Sequence, residues 1–222
     1  DQAGDLADPL QGAELWHQRI SGWLEQLAEE LPPELQASAY SLGLSLVGDD
    51  AIGANPKLNN MAKGFRQSKH EHIVFVDSNV YTPPGYLDQL MAALQDGAGM
   101  VSAPPVGYAP IGFWAELECA FLNSYQARMQ YAIDTLGRGF AQGKTLFFRR
   151  ADLDHGGFAM LAAEPAEDAA ATKMMHSKGQ RIRLAGPFLQ LVGPRSAAQV
   201  WKRHVRWARL RRASFPALFA PE

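Results

Sequence analysis

Three groups of residues have the types and spacing to do chemistry on a diphosphate. Asp77 directly follows the apolar run Ile73-Val74-Phe75-Val76, which places a carboxylate at the end of a strand, followed by Ser78-Asn79. A carboxylate there can hold Mg²⁺ or Mn²⁺, and such an ion neutralises a diphosphate leaving group. Glu167-Asp168 opens a predicted helix after an Ala-Glu-Pro turn, where Asp168 can act as a general base toward a hydroxyl. Arg203-His204-Val205-Arg206-Trp207 forms an R-x-x-R-W cassette. Its arginines offer planar forks for phosphate oxygens, and Trp207 offers an apolar wall. The i, i+3, i+4 spacing predicts that Arg203, Arg206 and Trp207 share one helix face.

Each group also has an ordinary reading. A strand-end aspartate can cap the next turn, acids are favoured in a helix's first turn, and a basic helix can simply be solvated. Asn79, standing where a second carboxylate would complete Asp-x-Asp, is a weaker and neutral ligand. Two other motifs fail on geometry. Gly143-Lys144-Thr145 resembles the end of a P-loop, but Arg138 stands where the first glycine belongs, and the motif runs into a predicted strand instead of a helix. Asp152-Leu153-Asp154 reads as the cap of a short helix after Arg149-Arg150. No G-x-G-x-x-G is present, and the six histidines and Cys119 lack metal-ligand spacing.

The elements that must position these groups follow from periodicity. Apolar residues at helical spacing predict an amphipathic helix over 10–30, ended by Pro32-Pro33, and a strand is predicted over 41–47 with a turn at Gly48-Asp49-Asp50. Asn55-Pro56 opens a helix over 57–69, and the strand 73–76 precedes a helix over 84–95. Further strands are predicted at 100–103, 145–148, 181–184 and 188–191. Helices are predicted at 112–134, from 151, at 166–177 and at 196–212. This alternation predicts an α/β fold with a mostly parallel, helix-covered sheet, whose ligands bind at the strands' C-terminal ends.

The chain has 222 residues, 47% of them hydrophobic and 20% charged, as in a globular α/β domain. Its single cysteine excludes an intrachain disulfide, and Cys119 reads as a buried apolar residue of a reducing compartment. Up to Asp168 there are 22 acidic and 10 basic residues; beyond it there are 11 basic and one acidic, so a formal charge of -2 hides a basic C-terminal part. That part points to an anionic partner: phosphates, an anionic membrane surface or nucleic acid. With Trp201, Arg209, Arg211 and Arg212, the last helix has the composition of one lying on a membrane interface. No nucleic-acid module accompanies it, so nucleic acid is the weaker reading. No apolar run of 18 residues is present and no signal peptide is recognisable.

Asn55-Pro56-Lys57-Leu58-Asn59-Asn60, Val76-Asp77-Ser78-Asn79, Gly143 through Arg150 with Asp154-His155-Gly156-Gly157, Ala166-Glu167-Asp168 and Arg203-x-x-Arg206-Trp207 occur in that order. This series resembles the ceramide glucosyltransferase family, inverting membrane glycosyltransferases of the A-type fold, including its bacterial branch of hopanoid-associated glycosyltransferases. The resemblance runs over about residues 45–210. It implies a UDP-sugar donor, most simply UDP-glucose, a divalent cation, Mg²⁺ or Mn²⁺, and a lipid acceptor such as ceramide at the cytosolic membrane face. Carried onto these positions, it puts Asp77 at the metal-diphosphate site and makes Asp168 the base. Lys57 and Asn60 would lie near the nucleotide, and Arg203, Arg206 and Trp207 would close over donor and acceptor. Asp1, or Asp5, would match a further aspartate near the uracil, since Asp8-Pro9 resembles the family's following Asp-Pro.

The resemblance also shapes expectations about extent. Residues 1–195 are expected to form the catalytic domain and 196–222 a basic interfacial helix. The family's first nucleotide-binding strand and flanking membrane helices have no counterpart in the sequence, so a fragment of a longer protein, poorly active alone, is expected. Two competing readings remain: a polysaccharide synthase-type glycosyltransferase, and a non-catalytic membrane- or nucleic-acid-binding module on a transferase fold.

Overall fold

The computed structural model describes residues 55–95, 97–154 and 156–216. The predicted helix 10–30, strand 41–47, the turn after it, Asp1 and Asp5 lie outside the described residues, as do His155 and the end of the chain.

Helix α1, Pro56–Gln67, starts as its sequence dictates: the Asn55 side chain caps it by accepting from the Lys57 backbone N–H at 3.0 Å, with proline in the first turn. Strand β1, His72–Val76, follows, then α2, Tyr86–Gln95, and β2, Ala98–Ser102. Strand β3, Pro105–Ile111, leads into α3, Phe113–Phe121, and α4, Ala127–Thr135. Strand β4, Thr145–Arg149, precedes the short helices α5, Arg150–Leu153, and α6, Gly157–Ala162. Helix α7, Glu167–Ser177, strands β5, Arg181–Leu184, and β6, Phe188–Pro194, and helix α8, Ala197–Ser214, complete the order.

Among the described residues, four strands form the main sheet in the order β1-β4-β2-β5, and β3 pairs with β6 in a second, two-stranded sheet. Alternating pleat residues explain why helices cover both faces of the main sheet. Met100, Leu146 and Phe148 point to a core shared with Leu58, Met61, Leu161 and Met174, whereas Val101 and Phe147 meet Tyr86, Leu90, Leu94 and Phe188. The α/β class is as expected, but the sheet is mixed. β2–β5 and β3–β6 are parallel, while β4 runs antiparallel to both β1 and β2. Alternation of strands and helices does not fix direction when the chain leaves the sheet. Here it passes through β3, α3 and α4 before β4 inserts between β1 and β2, reversed.

The expected long helix over 112–134 is interrupted by a π-helical turn, Leu122–Gln126. Asn123, in that turn, accepts from the Gly107 N–H at 2.6 Å and donates to the Gly107 carbonyl at 3.1 Å, tying the helix to β3. Gly107 must be glycine: a Cβ there would sit 2.8 Å from the Cys119 sulfur. Cys119 is buried, as expected, and burial raises its thiol pKa.

Candidate functional site

The reversal of β4 creates the site. Val76 pairs with Thr145, so the residue after β1, Asp77, lies beside the residue before β4, Lys144. The Asp77 N–H donates to the Lys144 carbonyl at 3.1 Å, and the Lys144 ammonium sits 2.6 Å from Asp77 Oδ2 and 3.2 Å from Asn79 Oδ1. From the other side, the capped first turn of α1 delivers Lys57. Its ammonium is 2.8 Å from Asp77 Oδ1 and 2.7 Å from Glu167 Oε1, and it also donates to the Gly143 carbonyl. Asn55 serves twice, capping α1 and donating to Glu167 Oε2 at 3.0 Å.

Asp168 completes the cluster at the start of α7. Its Oδ2 accepts from the Gly143 N–H at 2.9 Å and its Oδ1 from the Ala169 N–H at 2.8 Å. Gly143 is where these groups converge. A Cβ on it would lie 2.8 Å from Glu167 Oε1, 3.1 Å from Lys57 Nζ and 3.4 Å from Asp168 Oδ2, so only hydrogen fits without displacing them.

The charges separate the two aspartates. Burial alone would raise the Asp77 carboxyl, but hydrogen bonds and charge from Lys144 and Lys57 outweigh it and hold the pKa below the ordinary value. Asp168 goes the other way: burial, then the neighbouring Glu167 charge, raise its pKa against its two backbone hydrogen bonds and Lys57. Burial works against the charge on Lys57, yet Glu167 and Asp77 together lift its pKa above that of a free lysine. Asp77 is therefore a fixed anion and Asp168 a proton acceptor of raised affinity.

Asp77 was the expected metal ligand. Both of its oxygens are taken by ammonium groups, and the adjacent Asn79 oxygen is tied to the same Lys144. Among the described residues no group of three or more histidine, cysteine or acidic side chains is placed to hold an ion. One carboxylate and one neutral amide, already bridged by a cation, do not fit a Mg²⁺ or Mn²⁺ site as arranged.

Beside this cluster an open groove of about 570 Å³ runs along β1, lined by Lys57, Asn60, Met61, Phe75, Asp77 and Ser78. Asn60 is exposed there, one helical turn after Lys57. Lys57, Asp77 and Asp168 are thus brought together, with Asn60 at their edge.

The R-x-x-R-W cassette lies on α8, which starts with a capping box between Ser196 and Gln199. Arg203 Nε donates to Glu118 Oε1 at 3.0 Å, the Arg203 guanidinium lies 4.9 Å over the Trp207 ring, and Trp207 packs on Ala115, Cys119, Leu122 and Val192. Arg206 does not share that face. It is exposed on the outer side of α8 among Trp201, Lys202, Val205 and Arg209, because Arg206 and Trp207 are adjacent in sequence and so stand about 100° apart around the helix, and Trp207 is the one packed on α3. Among the described residues no hydrogen bond or ion pair joins the cassette to the Asp77–Asp168 cluster. The C-terminal end of α8 does approach α7, where the Lys173 ammonium lies 5.4 Å from the Phe215 ring.

With this geometry in hand, comparison with known proteins is decisive at the level of family. The profile of glycosyl transferase family 21 matches residues 39–222. The chain belongs to glycosyl transferase family 21. It is similar to ceramide glucosyltransferase 1 of Caenorhabditis elegans, 26% identical over 177 residues that cover 78% of this chain and 38% of that protein. Ceramide glucosyltransferase 3 of the same organism is 25% identical over 179 residues, 79% of this chain and 39% of that protein. The chain therefore spans about two fifths of the length of these relatives. A 45-residue stretch is 53% identical to endoribonuclease YbeY of Synechococcus sp. (strain RCC307), covering 20% of this chain and too little of its fold to bear on the site.

Four residues escaped the sequence reading. Lys144 and Gly143 figured as a failed P-loop and within the Gly143–Arg150 stretch of the resemblance, with no role assigned to either; the P-loop rejection stands, since β4 follows them, but they are central to the cluster. Glu167 read as the partner of Asp168, and its salt bridge to Lys57 gave no sequence signal. Glu118 sits in an aromatic-rich helix with nothing to mark it. Asp152 pairs with Lys178 at 3.1 Å and is structural.

Proposed function

We propose that this member of family 21 carries the catalytic site of an inverting glycosyltransferase that moves a sugar, most simply glucose, from a UDP-sugar to the hydroxyl of a lipid such as ceramide. The observation that carries the reading is the single cluster in which Lys57 and Lys144 flank a carboxylate of lowered pKa, while Asp168, one hydrogen bond away through Gly143, has a raised one. Two ammonium groups, one of them lining the groove and the other beside it on Asp77, suit a diphosphate, and a carboxylate of raised proton affinity suits a general base.

In this mechanism the donor diphosphate lies against Lys57 and Lys144. Asp168 takes the proton of the acceptor hydroxyl as that oxygen attacks the anomeric carbon. The bond from that carbon to the diphosphate oxygen breaks, UDP leaves with the electron pair, and configuration inverts. Arg203 and Trp207 close over the reactants, as the resemblance implies, while Arg206 stays on the outer side of α8.

A lipid acceptor is favoured over an oligosaccharide by the exposed apolar side chains on β3, α3 and α8. Ile111, Phe113, Trp114, Leu117 and Trp201 are all exposed, Trp201 to 72%. A cluster of aromatic and aliphatic side chains beside a basic helix suits a membrane surface, at the cytosolic face, and no nucleic acid is invoked. Among the described residues no helix is long and apolar enough to cross a membrane.

The test is sugar transfer in membranes containing the full-length protein, supplied with a panel of UDP-sugars and with either ceramide or an oligosaccharide. A glycolipid formed by wild type and not by Asp168→Asn is expected. Product only on the oligosaccharide would replace the lipid reading, and no product from any pair would overturn the transferase reading.

A further inference from the structure

We propose that Glu118 is a positioning residue for the R-x-x-R-W cassette: a fully buried carboxylate on α3 that fixes the Arg203 guanidinium and, through it, Trp207. The inference rests on the reading that the cassette acts on donor and acceptor.

Glu118 has no solvent exposure, while Glu116, on the same helix, is exposed. Burying a carboxylate is strongly unfavourable unless it is paired and hydrogen-bonded. Only half of that compensation is present. Oε1 accepts from Arg203 Nε, but Oε2 is buried without a partner. A residue serving stability alone would be replaced with little loss by an apolar side chain of similar size, since buried ion pairs seldom outperform good packing. An incompletely satisfied buried charge therefore points to a role in placing its partner.

The contact is also made in a particular way. Glu118 engages Arg203 from the side, through Nε, and no hydrogen bond from the two terminal nitrogens is present among the described residues. Those nitrogens form the part of the fork that would meet a phosphate or a sugar oxygen. The Arg203 side chain keeps 34% of its exposure, so the fork is held from behind and open in front. Two further contacts make the placement rigid. The His204 ring lies 4.5 Å from Phe121, one helical turn along α3 from Glu118, and Trp207 is held between the Arg203 guanidinium and the Ala115–Cys119–Leu122–Val192 cluster. Ala115, Glu118, Cys119 and Phe121 of α3 thus hold Arg203, His204 and Trp207, and among these described α3 residues Glu118 alone carries a charge to set against Arg203.

The experiment compares Glu118→Gln, Glu118→Met, Arg203→Gln and the double variant Glu118→Gln/Arg203→Gln in the full-length protein. Melting temperature, UDP affinity and turnover with radiolabelled donor are measured for each. Misplacing a catalytic group by an ångström costs about 10²-fold in rate, so both Glu118 variants should lose turnover on that scale with UDP affinity and melting temperature retained. In the double variant the losses should not multiply, because Glu118 acts only through Arg203. Glu118→Met with normal turnover would overturn the inference, as would losses that multiply. Loss of turnover in step with melting temperature in both Glu118 variants would also overturn it, by showing a merely structural role. Normal turnover in Arg203→Gln would instead overturn the underlying reading of the cassette.

Discussion

Lys57 should be the residue whose removal costs the most stability in the site, and the structure gives the size of the effect. Its ammonium joins Asp77, Glu167 and the Gly143 carbonyl. The two carboxylates differ in what they lose. Asp77 keeps Lys144 at 2.6 Å and is a quarter exposed, so its arm resembles a surface pair, worth about 0–1 kcal/mol. The Glu167 side chain is only 11% exposed and keeps one neutral partner, Asn55. Breaking a buried pair by removing one partner costs about 3–5 kcal/mol, and because Lys57 itself is one-third exposed the lower end applies. Lys57→Met should therefore cost about 3 kcal/mol, which for a chain of this size lowers the melting temperature by roughly 6–12 °C. Glu167→Gln in the same background should recover much of the loss, because no charge is then stranded.

Melting followed by circular dichroism across a pH series tests the origin of the effect. The folded-state pKa of Lys57 is raised, so its contribution is complete below the ordinary lysine value of about 10.4 and disappears as pH rises through the higher folded value. The folded-state pKa of Asp77 is lowered, so its contribution is present above the ordinary value of about 3.9 and disappears as pH falls through the lower folded value. The gap between wild type and Lys57→Met should be constant near neutrality and close at both extremes. A gap of less than about 2 °C at pH 7 would refute the assignment of Lys57 as the hub, since that corresponds to an ordinary surface pair.

Other predictions follow from the same geometry. Turnover should rise with pH through a value above the usual carboxylate range, because Asp168 must lose its proton to act, and Asp168→Asn should cost about 10²- to 10⁴-fold with UDP affinity retained; a pH profile flat into the acid range would exclude it as the base. UDP binding by calorimetry should persist in EDTA in wild type and become Mn²⁺-dependent in Lys144→Met, which frees Asp77 Oδ2 and Asn79 Oδ1; loss of wild-type binding in EDTA would show that a metal displaces Lys144. Gly143→Ala should reduce turnover about 10²-fold by pushing Glu167 and Lys57 apart, and unchanged turnover would mean that the cluster relaxes freely. The double variant Phe113→Ser/Trp201→Ser should bind anionic vesicles more weakly with UDP affinity unchanged, and equal vesicle binding would locate the membrane contact elsewhere.

Much of the fold was legible because its signals are local. Asn55-Pro56 announced α1, and the apolar run before Asp77 announced β1 and put a carboxylate at its end. The run 145–148 and the Glu167 helix start came out within a residue or so. What the sequence concealed was direction. Alternation of strands and helices suggests parallel neighbours, and in a parallel arrangement Lys144 would enter β4 at the far end of the sheet from Asp77. Its ion pair with Asp77 exists only because β4 is reversed, and strand direction depends on how the chain returns to the sheet after α4. The split of the cassette was hidden for a related reason. Spacing says which residues can share a face, but not that α3 would present Glu118 to Arg203 and leave Arg206 outside.

One property of the cluster comes from neither spacing nor resemblance. Asp77 and Asp168 carry the same functional group, both meet Lys57's field, and both are partly buried, yet their proton affinities move in opposite directions. The difference lies in what faces each one. Asp77 receives two ammonium groups directly, which overcome its burial. Asp168 is raised first by its burial and then by the Glu167 charge beside it, and the groups that bond it directly are only neutral backbone N–H groups, with Lys57 lowering it through charge alone. Pairs of titratable groups pushed apart in this way divide the work of acid–base chemistry. On the proposed reading Asp77, its charge committed to two cations, does not serve as the base, and Asp168 takes the proton. The assignment also explains Glu167: without its charge beside Asp168, Lys57 would pull the base down toward the range where it accepts protons poorly.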